Sequence, residues 1–224
     1  MGLISSYSLV ALLIAAAVSG VAWLALKVIL PSQFEARITE ACRAFATAIE
    51  LRFPSHSGLT SRAASLCVLV ADRLGFSKEQ IRDIERACLL RDIGHCATPY
   101  ALVNRKAFDD WSAEERRTYL KHAGASGAML ELVPSLRSLA GAVRFHHRPW
   151  QGKDAQGSAD MPQAARILKA VVDFVWKERF EGYEVALKSI EVGAGDEYEL
   201  EAAKALLAVL TSIRDGSSGG PPNP

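Results

Sequence analysis

The first 30 residues constrain this chain most, because a predominantly apolar stretch runs from Leu9 to Leu30. Its first charged side chain is Lys27, and about 20 apolar residues suffice for a helix to cross a bilayer. A cleaved signal peptide is the alternative, since small residues are frequent from Ala15 to Gly20. No Lys or Arg precedes the stretch, however, and apolar residues continue past Gly20. We therefore predict an uncleaved transmembrane helix over residues 9–30, preceded by a short segment, residues 1–8.

Basic residues lie on one side of this predicted helix. Lys27, Arg37, Arg43 and Arg52 stand near its end or after it, and none precedes it. Because positively charged flanks stay on the cytoplasmic side, we predict a single-pass protein of the inner membrane with its domain in the cytoplasm.

Charge and cysteine content exclude some classes of protein. The formal net charge is +1, and no dense run of Lys or Arg marks a nucleic-acid-binding surface. The cysteines show neither paired metal-ligand spacing nor a disulfide framework, which favours buried thiols in a reducing compartment. They are Cys42, Cys67, Cys88 and Cys96.

Beyond Pro31 the apolar residues recur at helical spacing, and no segment reads as a strand, so we predict an all-α bundle. A juxtamembrane helix, residues 31–54, would join a domain over residues 55–213, and the polar tail, residues 214–224, is predicted to be disordered. One further helix is predicted over residues 136–147. Capping boxes are predicted at Ser77 with Gln80, Ser112 with Glu115, and Asp196 with Glu199.

Five residues of the predicted domain could bind a metal. They are Asp92, His122, His146, His147 and Asp173. Carboxylates and imidazoles on facing helices are the usual ligands of metal sites in helical bundles. The adjacent histidines are informative, because neighbours on a helix point about 100° apart and converge only near a helix end.

The order of these segments resembles the HD-GYP family, a branch of the HD-domain metal phosphohydrolases. The similar motifs run from AIELRFPSHSGLTSRAA (Ala48–Ala64) through RDIGHCATP (Arg91–Pro99), KHAGASGAML, FHHRPWQG and MPQAARIL to GAGDEYELEAAKALLAVL. The resemblance covers nearly everything beyond the apolar stretch. It implies an HD-domain-like helical bundle and a metal-dependent phosphodiesterase ancestry.

The departures from the family pattern fall on its metal site. Leu59 and Arg91 stand where the family has metal-binding histidines, and His95 stands where it has a lysine. Residues 154–156 replace the Gly-Tyr-Pro signature. The family's late metal-binding aspartate falls on Val172, so Asp173 would need a one-residue slip in the alignment.

These changes affect one of the two ions that the resemblance implies. That ion would use the lost histidines, Asp92 and the late aspartate, whereas the other would use Asp92, His122, His146 and His147. Leucine has no lone pair, and arginine has five donors and no acceptor, so neither residue can bind a metal. We predict that the guanidinium of Arg91 replaces the lost ion as the partner of a carboxylate.

The sequence therefore predicts a membrane-anchored, degenerate HD-GYP-type signalling domain without two-metal phosphodiesterase activity. It would bind a ligand, with cyclic di-GMP as the candidate, or a protein partner, which includes a second copy paired through the helix over residues 33–52. Candidate ligand contacts are Arg91, Arg148 and Lys153. The expected cofactor is none, or one divalent transition metal such as iron or manganese.

The alternative is an active phosphohydrolase or cyclic di-GMP phosphodiesterase with a mononuclear site or substitute ligands. The candidate substitute ligands are His56, three residues before Leu59, and His95, three residues after Asp92. The simpler interpretation makes His56 a surface residue and His95 a polar residue that lines a cavity.

Overall fold

A computed structural model describes residues 2–104, 111–151 and 160–218 of the chain. The chain forms two compact units, Met1–Ala41 and Cys42–Pro224. The division between them falls inside the segment, residues 31–54, that was predicted to join the anchor to the domain.

The N-terminal unit is helical throughout its described length. Helix α1 (Gly2–Leu24) continues into a π-helical segment (Ala25–Ile29) and then into α2 (Leu30–Arg52). The predicted boundary between the helices over residues 9–30 and 31–54 falls at Pro31, where the structure has no break in the helix. Proline lacks an N–H and clashes with the carbonyl four residues earlier in an α-helix. The wider π-helical turn just before Pro31 accommodates this change in the hydrogen-bond pattern, so the helix continues.

This helix has the length and composition of a membrane span. Its most apolar 18-residue window, within Tyr7–Arg52, has a mean hydropathy of 2.5 and is not buried within the protein. By length and composition, one helix of the described chain can therefore cross a membrane.

The C-terminal unit is all-α, as predicted. Its described residues form no strand, and only an isolated bridge joins Ala194 to Tyr198. After α2, the helices are α3 (Leu59–Arg73), α4 (Lys78–Leu90), α5 (Tyr100–Asn104), α6 (Ala113–Glu131), α7 (Ala140–Arg144), α8 (Gln163–Phe180), α9 (Tyr183–Gly193) and α10 (Leu200–Ser218).

Helix α3 lies at the centre of this unit and packs against α4, α8 and α10. Helix α6 packs against α7 and against a 3₁₀ turn, Ile93–Ala97, that follows α4. The apolar core between these helices includes Leu66, Val70, Ile84, Phe174 and Leu206, all almost completely buried. This packing brings the end of α4, the middle of α6 and the inner face of α8 together.

Two of the three predicted capping boxes are confirmed. Ser77 with Gln80 begins α4, and Ser112 with Glu115 begins α6, each with both reciprocal hydrogen bonds. The third prediction is wrong. Glu199 alone caps α10, where its carboxylate accepts a hydrogen bond of 2.8 Å from the Ala202 N–H.

The predicted helix over residues 136–147 is shorter in the structure. A 3₁₀ turn (Arg137–Leu139) leads into α7, which ends at Arg144. Phe145 leaves the helical region at φ −104° and ψ 6°, so His146 and His147 lie in the turn that follows. At the other end of the unit, α10 extends to Ser218, beyond the predicted domain end at residue 213.

Candidate metal centre

All five histidines of the chain gather in one cluster, although four separate segments carry them. The ring centroids of His95 and His122 are 3.8 Å apart in a stacked arrangement, and those of His146 and His147 are 4.0 Å apart. His56 lies 5.9 Å from His95. The side chains of His95 and His146 are completely buried. Packing places the imidazoles of distant segments in one small volume.

Backbone carbonyls fix the orientation of two of these rings. The Nδ1 atom of His122 lies 2.7 Å from the Tyr119 carbonyl, and that of His146 lies 2.6 Å from the Val143 carbonyl. Because a carbonyl oxygen only accepts, Nδ1 must carry the proton in both rings. In the neutral form of either ring, Nε2 therefore keeps its lone pair, as in histidines that bind metals through Nε2.

Asp92 contacts both the histidine cluster and Arg91. Its Oδ2 atom lies 3.0 Å from Nη2 of Arg91, and its Oδ1 atom lies 3.3 Å from Nε2 of His122. The predicted contact between the guanidinium and a carboxylate is therefore present. Burial acts to raise the pKa of Asp92, but the charge of Arg91 and the hydrogen bond with His122 hold it well below its usual range.

Arg91 is held firmly in the interior, with 4% of its surface exposed. Nη1 donates to the Cys88 carbonyl at 2.8 Å and lies 3.4 Å from the Cys88 thiol. Nη2 also approaches the Thr60 hydroxyl at 3.5 Å. Burial acts to lower the pKa of Arg91, but Asp92 and Cys88 raise it above its usual value. The guanidinium is therefore a fixed positive charge beside Asp92.

The residues of the cluster fit one divalent cation. The ligand atoms of His122, His146 and His147 lie within 4.8 Å of one another, as do those of Asp92, His95 and His122. Oδ1 of Asp92 and Nε2 of His122 lie 3.3 Å apart, close enough to share either a proton or a cation. Nε2 of His146 is buried without a hydrogen-bond partner among the described residues.

Burial favours the neutral form of three imidazoles in the cluster. It lowers the pKa of His95 and of His146 to about 3, and the neighbouring His122 adds to the effect. The pKa of His147 is also well below its ordinary value, mainly because of burial. Metal ions bind the neutral form of imidazole, so these rings can act as ligands near neutral pH.

The position expected for a second ion does not fit a metal. Leu59 and Val172 offer only hydrocarbon there, and Arg91 supplies a cation. Asp173 lies on the same wall, but its Oδ2 atom accepts hydrogen bonds from Lys169 Nζ at 2.6 Å and from the Tyr198 hydroxyl at 3.2 Å.

Lys169 connects α8 to the turn before α10. Its ammonium group also lies 2.6 Å from Oε1 of Glu197, and only 7% of the residue is exposed. Burial acts to lower the pKa of Lys169, but Asp173 and Glu197 raise it above its ordinary value. A second buried cation therefore neutralises the other carboxylate of the site.

A cavity of about 260 Å³ opens beside the cluster. Basic and acidic groups contribute to its lining, and so does Trp176, whose ring centroid lies 5.2 Å from that of His56. The lining residues are His56, Leu59, Arg91, Asp92, Arg116, Tyr119, Leu120, His147, Val172, Asp173 and Trp176.

Of the remaining predicted ligand contacts, the structure describes only Arg148. Arg148 does not line the cavity, and its guanidinium lies over the Phe145 ring at 5.5 Å. Lys153 and residues 154–156 lie outside the described residues. The interpretation of His56 as a surface residue is wrong, because His56 is 5% exposed and lines the cavity.

Sequence reasoning missed the residues that support the cluster. Lys169 could have been found, because it precedes Asp173 by four residues on the buried face of a helix. Thr98, whose hydroxyl lies 3.0 Å from Nδ1 of His95, gave no signal of its own.

Comparisons with known proteins agree with this fold. A family model described as HD domain matches residues 43–199, which is more than half of the chain. The chain is 29% identical over 151 residues to the cyclic di-GMP phosphodiesterase response regulator RpfG of Xanthomonas campestris pv. campestris. The match covers 63% of this chain and 38% of RpfG, so the chain spans well under half of that relative.

Solved structures with the same fold include an HD-GYP protein and an HD domain. Bd1817, an HDGYP protein from Bdellovibrio bacteriovorus, matches with a TM-score of 0.56 and 19% identity over 68% of this chain and 51% of its own. The HD domain of the phosphodiesterase PgpH from L. monocytogenes, in complex with cyclic di-AMP, matches with a TM-score of 0.56 and 14% identity. That match covers 81% of this chain and all of the PgpH domain. The resemblance to HD-GYP proteins is thus confirmed, and this chain belongs to the HD domain family.

Proposed function

We propose that this protein is a membrane-anchored, degenerate HD-GYP-type signalling domain that binds a phosphate-containing ligand without two-metal hydrolysis. The observation that carries the proposal is the ion pair between buried Arg91 and Asp92, 3.0 Å apart, with Leu59 on the adjoining cavity wall. Two-metal hydrolysis needs both ions to stabilise the attacking and the leaving oxygen. Arg91 and Leu59 stand where the ligands of one ion would be, so only one of the two ions could bind.

We propose that one divalent transition ion, such as iron or manganese, binds at Asp92, His122, His146 and His147. The orientation of the His122 and His146 rings and the buried, unpartnered Nε2 of His146 support this set. Such an ion would supply positive charge to a phosphate oxygen. Asp92 can meet it with Oδ1, because Arg91 already holds Oδ2.

Arg91 acts in this proposal as a fixed charge. Its Nη1 and Nη2 atoms are engaged by Cys88, Thr60 and Asp92, which leaves only the buried Nε–H without a partner in the described structure. Because a bidentate phosphate contact needs two available donors, Arg91 would attract a phosphate through its charge. Arg148 and Lys153 remain predicted ligand contacts.

The ligand class is proposed from the relatives. RpfG is a cyclic di-GMP phosphodiesterase, and the PgpH domain was solved with cyclic di-AMP. We propose that a cyclic dinucleotide places one phosphate at the cavity beside Asp92 and His147. A signalling protein, or a second copy paired through α2, remains the predicted macromolecular partner.

We propose that α1 and the start of α2 span the inner membrane once, with the domain in the cytoplasm. The apolar composition and zero burial of this helix support a span, and the basic residues that follow it support the orientation.

The test is metal analysis and enzyme assay of the full chain purified in detergent. Plasma mass spectrometry should find at most one transition ion per chain, and cyclic di-GMP and cyclic di-AMP should remain intact with added manganese or iron. Calorimetric titration should then detect binding of one cyclic dinucleotide. Two ions per chain together with turnover would overturn the proposal.

Restoring the lost ligands gives a sharper control. The double substitution Leu59→His and Arg91→His should raise the metal content towards two ions per chain, because it returns imidazoles to both altered positions. If the variant folds and gains no metal, the alignment of this site with the family is wrong.

A second candidate function is an active phosphohydrolase with a mononuclear or substitute-ligand site. Buried, unpartnered Nε2 atoms on His56, His95 and His146 favour it, because the chain retains more imidazole donors than the one proposed ion requires. Turnover of a cyclic dinucleotide with one bound ion would establish this alternative.

A further inference from the structure

His95 stands three residues after Asp92 on a tight turn. Asp92 is the N-terminal cap of the 3₁₀ turn Ile93–Ala97. Because a 3₁₀ helix has three residues per turn, side chains three positions apart lie on the same face. The carboxylate of Asp92 and the imidazole of His95 therefore face the same side, towards α6.

Gly94 allows this turn to lie directly on α6. A Cβ atom at Gly94 would come within 2.7 Å of the Ser126 backbone nitrogen, closer than real contacts allow. The Gly94 N–H instead donates to the Ser126 hydroxyl at 2.8 Å. This close approach stacks the His95 ring on the His122 ring, 3.8 Å apart and 24° from parallel.

The Nε2 atom of His95 has no hydrogen-bond partner among the described residues, although it is completely buried. Its other ring nitrogen is engaged by the Thr98 hydroxyl at 3.0 Å. A buried polar atom without a partner is costly, and a bound ion is one of its ordinary explanations. Fixing Nδ1 through a hydrogen bond is also how proteins orient metal-binding imidazoles.

The ligand atoms of Asp92, His95 and His122 lie within 4.8 Å of one another. His122 belongs both to this group and to the group with His146 and His147. One nitrogen lone pair binds one ion, so the two groups that share His122 can belong to one single-ion site. Only the group with His95 contains a carboxylate, which offers the charge that a divalent cation prefers.

We propose that His95 is a ligand of the bound ion, which it shares with Asp92 and His122. This inference rests on the proposed single-ion site and names an additional ligand for it. His95 would thereby compensate within the same turn for the imidazole lost at Arg91. The ion would contact Oδ1 of Asp92, since Arg91 holds Oδ2.

His56 is the matched control inside the same cluster. It is also buried, at 5% exposure, and its Nε2 atom also has no partner among the described residues. It belongs to neither group of converging ligand atoms, and its ring instead meets the edge of Trp176. A metal ligand and a merely buried imidazole can therefore be compared within one protein.

The test is a cobalt(II) titration of the full chain in detergent, with stoichiometry from mass spectrometry and coordination from the visible absorption of cobalt. His95→Gln should weaken cobalt binding by about 10–100-fold or more and alter the absorption, whereas His56→Gln should change neither. His95→Cys should retain cobalt and add a thiolate-to-cobalt charge-transfer band that His56→Cys lacks. The cysteine variant also decides the question if His95→Gln fails to fold.

The outcomes separate the inference from the function on which it rests. If the wild-type chain binds no cobalt, manganese or iron, the proposed single-ion site fails and this inference fails with it. If the wild-type chain binds one ion and both His95 variants bind and absorb like the wild type, only the inference is overturned.

Discussion

Replacing Arg91 with methionine tests whether its charge substitutes for an ion. The change keeps a long side chain in the same space but leaves the Asp92 carboxylate buried without its cation. Breaking a buried ion pair by removing one partner typically costs about 3–5 kcal/mol. The Asp92 side chain is 16% exposed and also contacts His122, so we expect the lower end, about 3 kcal/mol. For a domain of this size that loss lowers Tm by about 6–12 °C.

The assay is thermal unfolding of the full chain in detergent, followed by circular dichroism with a chelator present. Arg62→Met is the matched control, because Arg62 makes an ion pair with Glu178 at 2.5 Å but its side chain is 45% exposed. Exposed ion pairs contribute about 0–1 kcal/mol, and this one is bidentate, so we expect this variant to lose about 1 kcal/mol of stability. The double variant Arg91→Met with Asp92→Asn should recover much of the lost stability, since no buried charge remains.

Metal should partly rescue the single variant. An ion bound at Asp92 would replace the missing cation, and saturation at about 100 times Kd adds about 2.7 kcal/mol to the stability of the folded state. The reasoning is refuted if Arg91→Met unfolds within 2 °C of Arg62→Met in the presence of chelator.

Three further predictions concern the surroundings of the site. In the metal-free protein, the pKa of His146 is about 3 in the folded state and near 6.5 in the unfolded state. Between these two pH values the unfolded chain binds a proton at His146 and the folded chain does not. Stability should therefore fall by up to about 1.4 kcal/mol per pH unit for this group below about pH 6.5, which urea denaturation at pH 7, 6 and 5 can measure. Lys169→Met should lower the free energy of unfolding by about 2–4 kcal/mol, because it leaves a buried carboxylate without its cation. Lys204→Met removes only an exposed ion pair and should lower the free energy of unfolding by under about 0.5 kcal/mol in the same assay. Gly94→Ala should lower the free energy of unfolding by about 1–3 kcal/mol and weaken cobalt binding, because the added Cβ displaces α6. Gly124→Ala is the control, since its Cβ meets open space, and it should leave stability unchanged or raise it.

Local sequence signals predicted the helical architecture well. Apolar periodicity predicted an all-α domain but not α5 or α9, and the capping boxes at Ser77 and Ser112 are present as expected. These signals succeed because side chains within four residues of one another decide them. The capping box at Asp196 failed because Glu199 performs that role alone.

The motif order also anticipated part of the site. It placed Asp92 beside Arg91 and among the histidines, and the structure contains that contact. It did not anticipate that His56 would be buried, because its neighbours His95 and Trp176 come from segments far along the chain. The metal-binding role of Asp92, His122, His146 and His147 remains a prediction.

The sequence by itself determined an all-α chain with one apolar N-terminal helix, and it determined that Leu59 and Arg91 cannot bind a metal. Side-chain chemistry alone decides the second point, since neither residue has a lone pair to offer. Only the tertiary structure decided which charges meet. It joined Lys169 to Asp173 and Glu197, stacked His95 on His122, and left buried nitrogen atoms without partners. Such contacts depend on how separate helices pack, and no pattern within one helix encodes the side chains that the next helix brings to it.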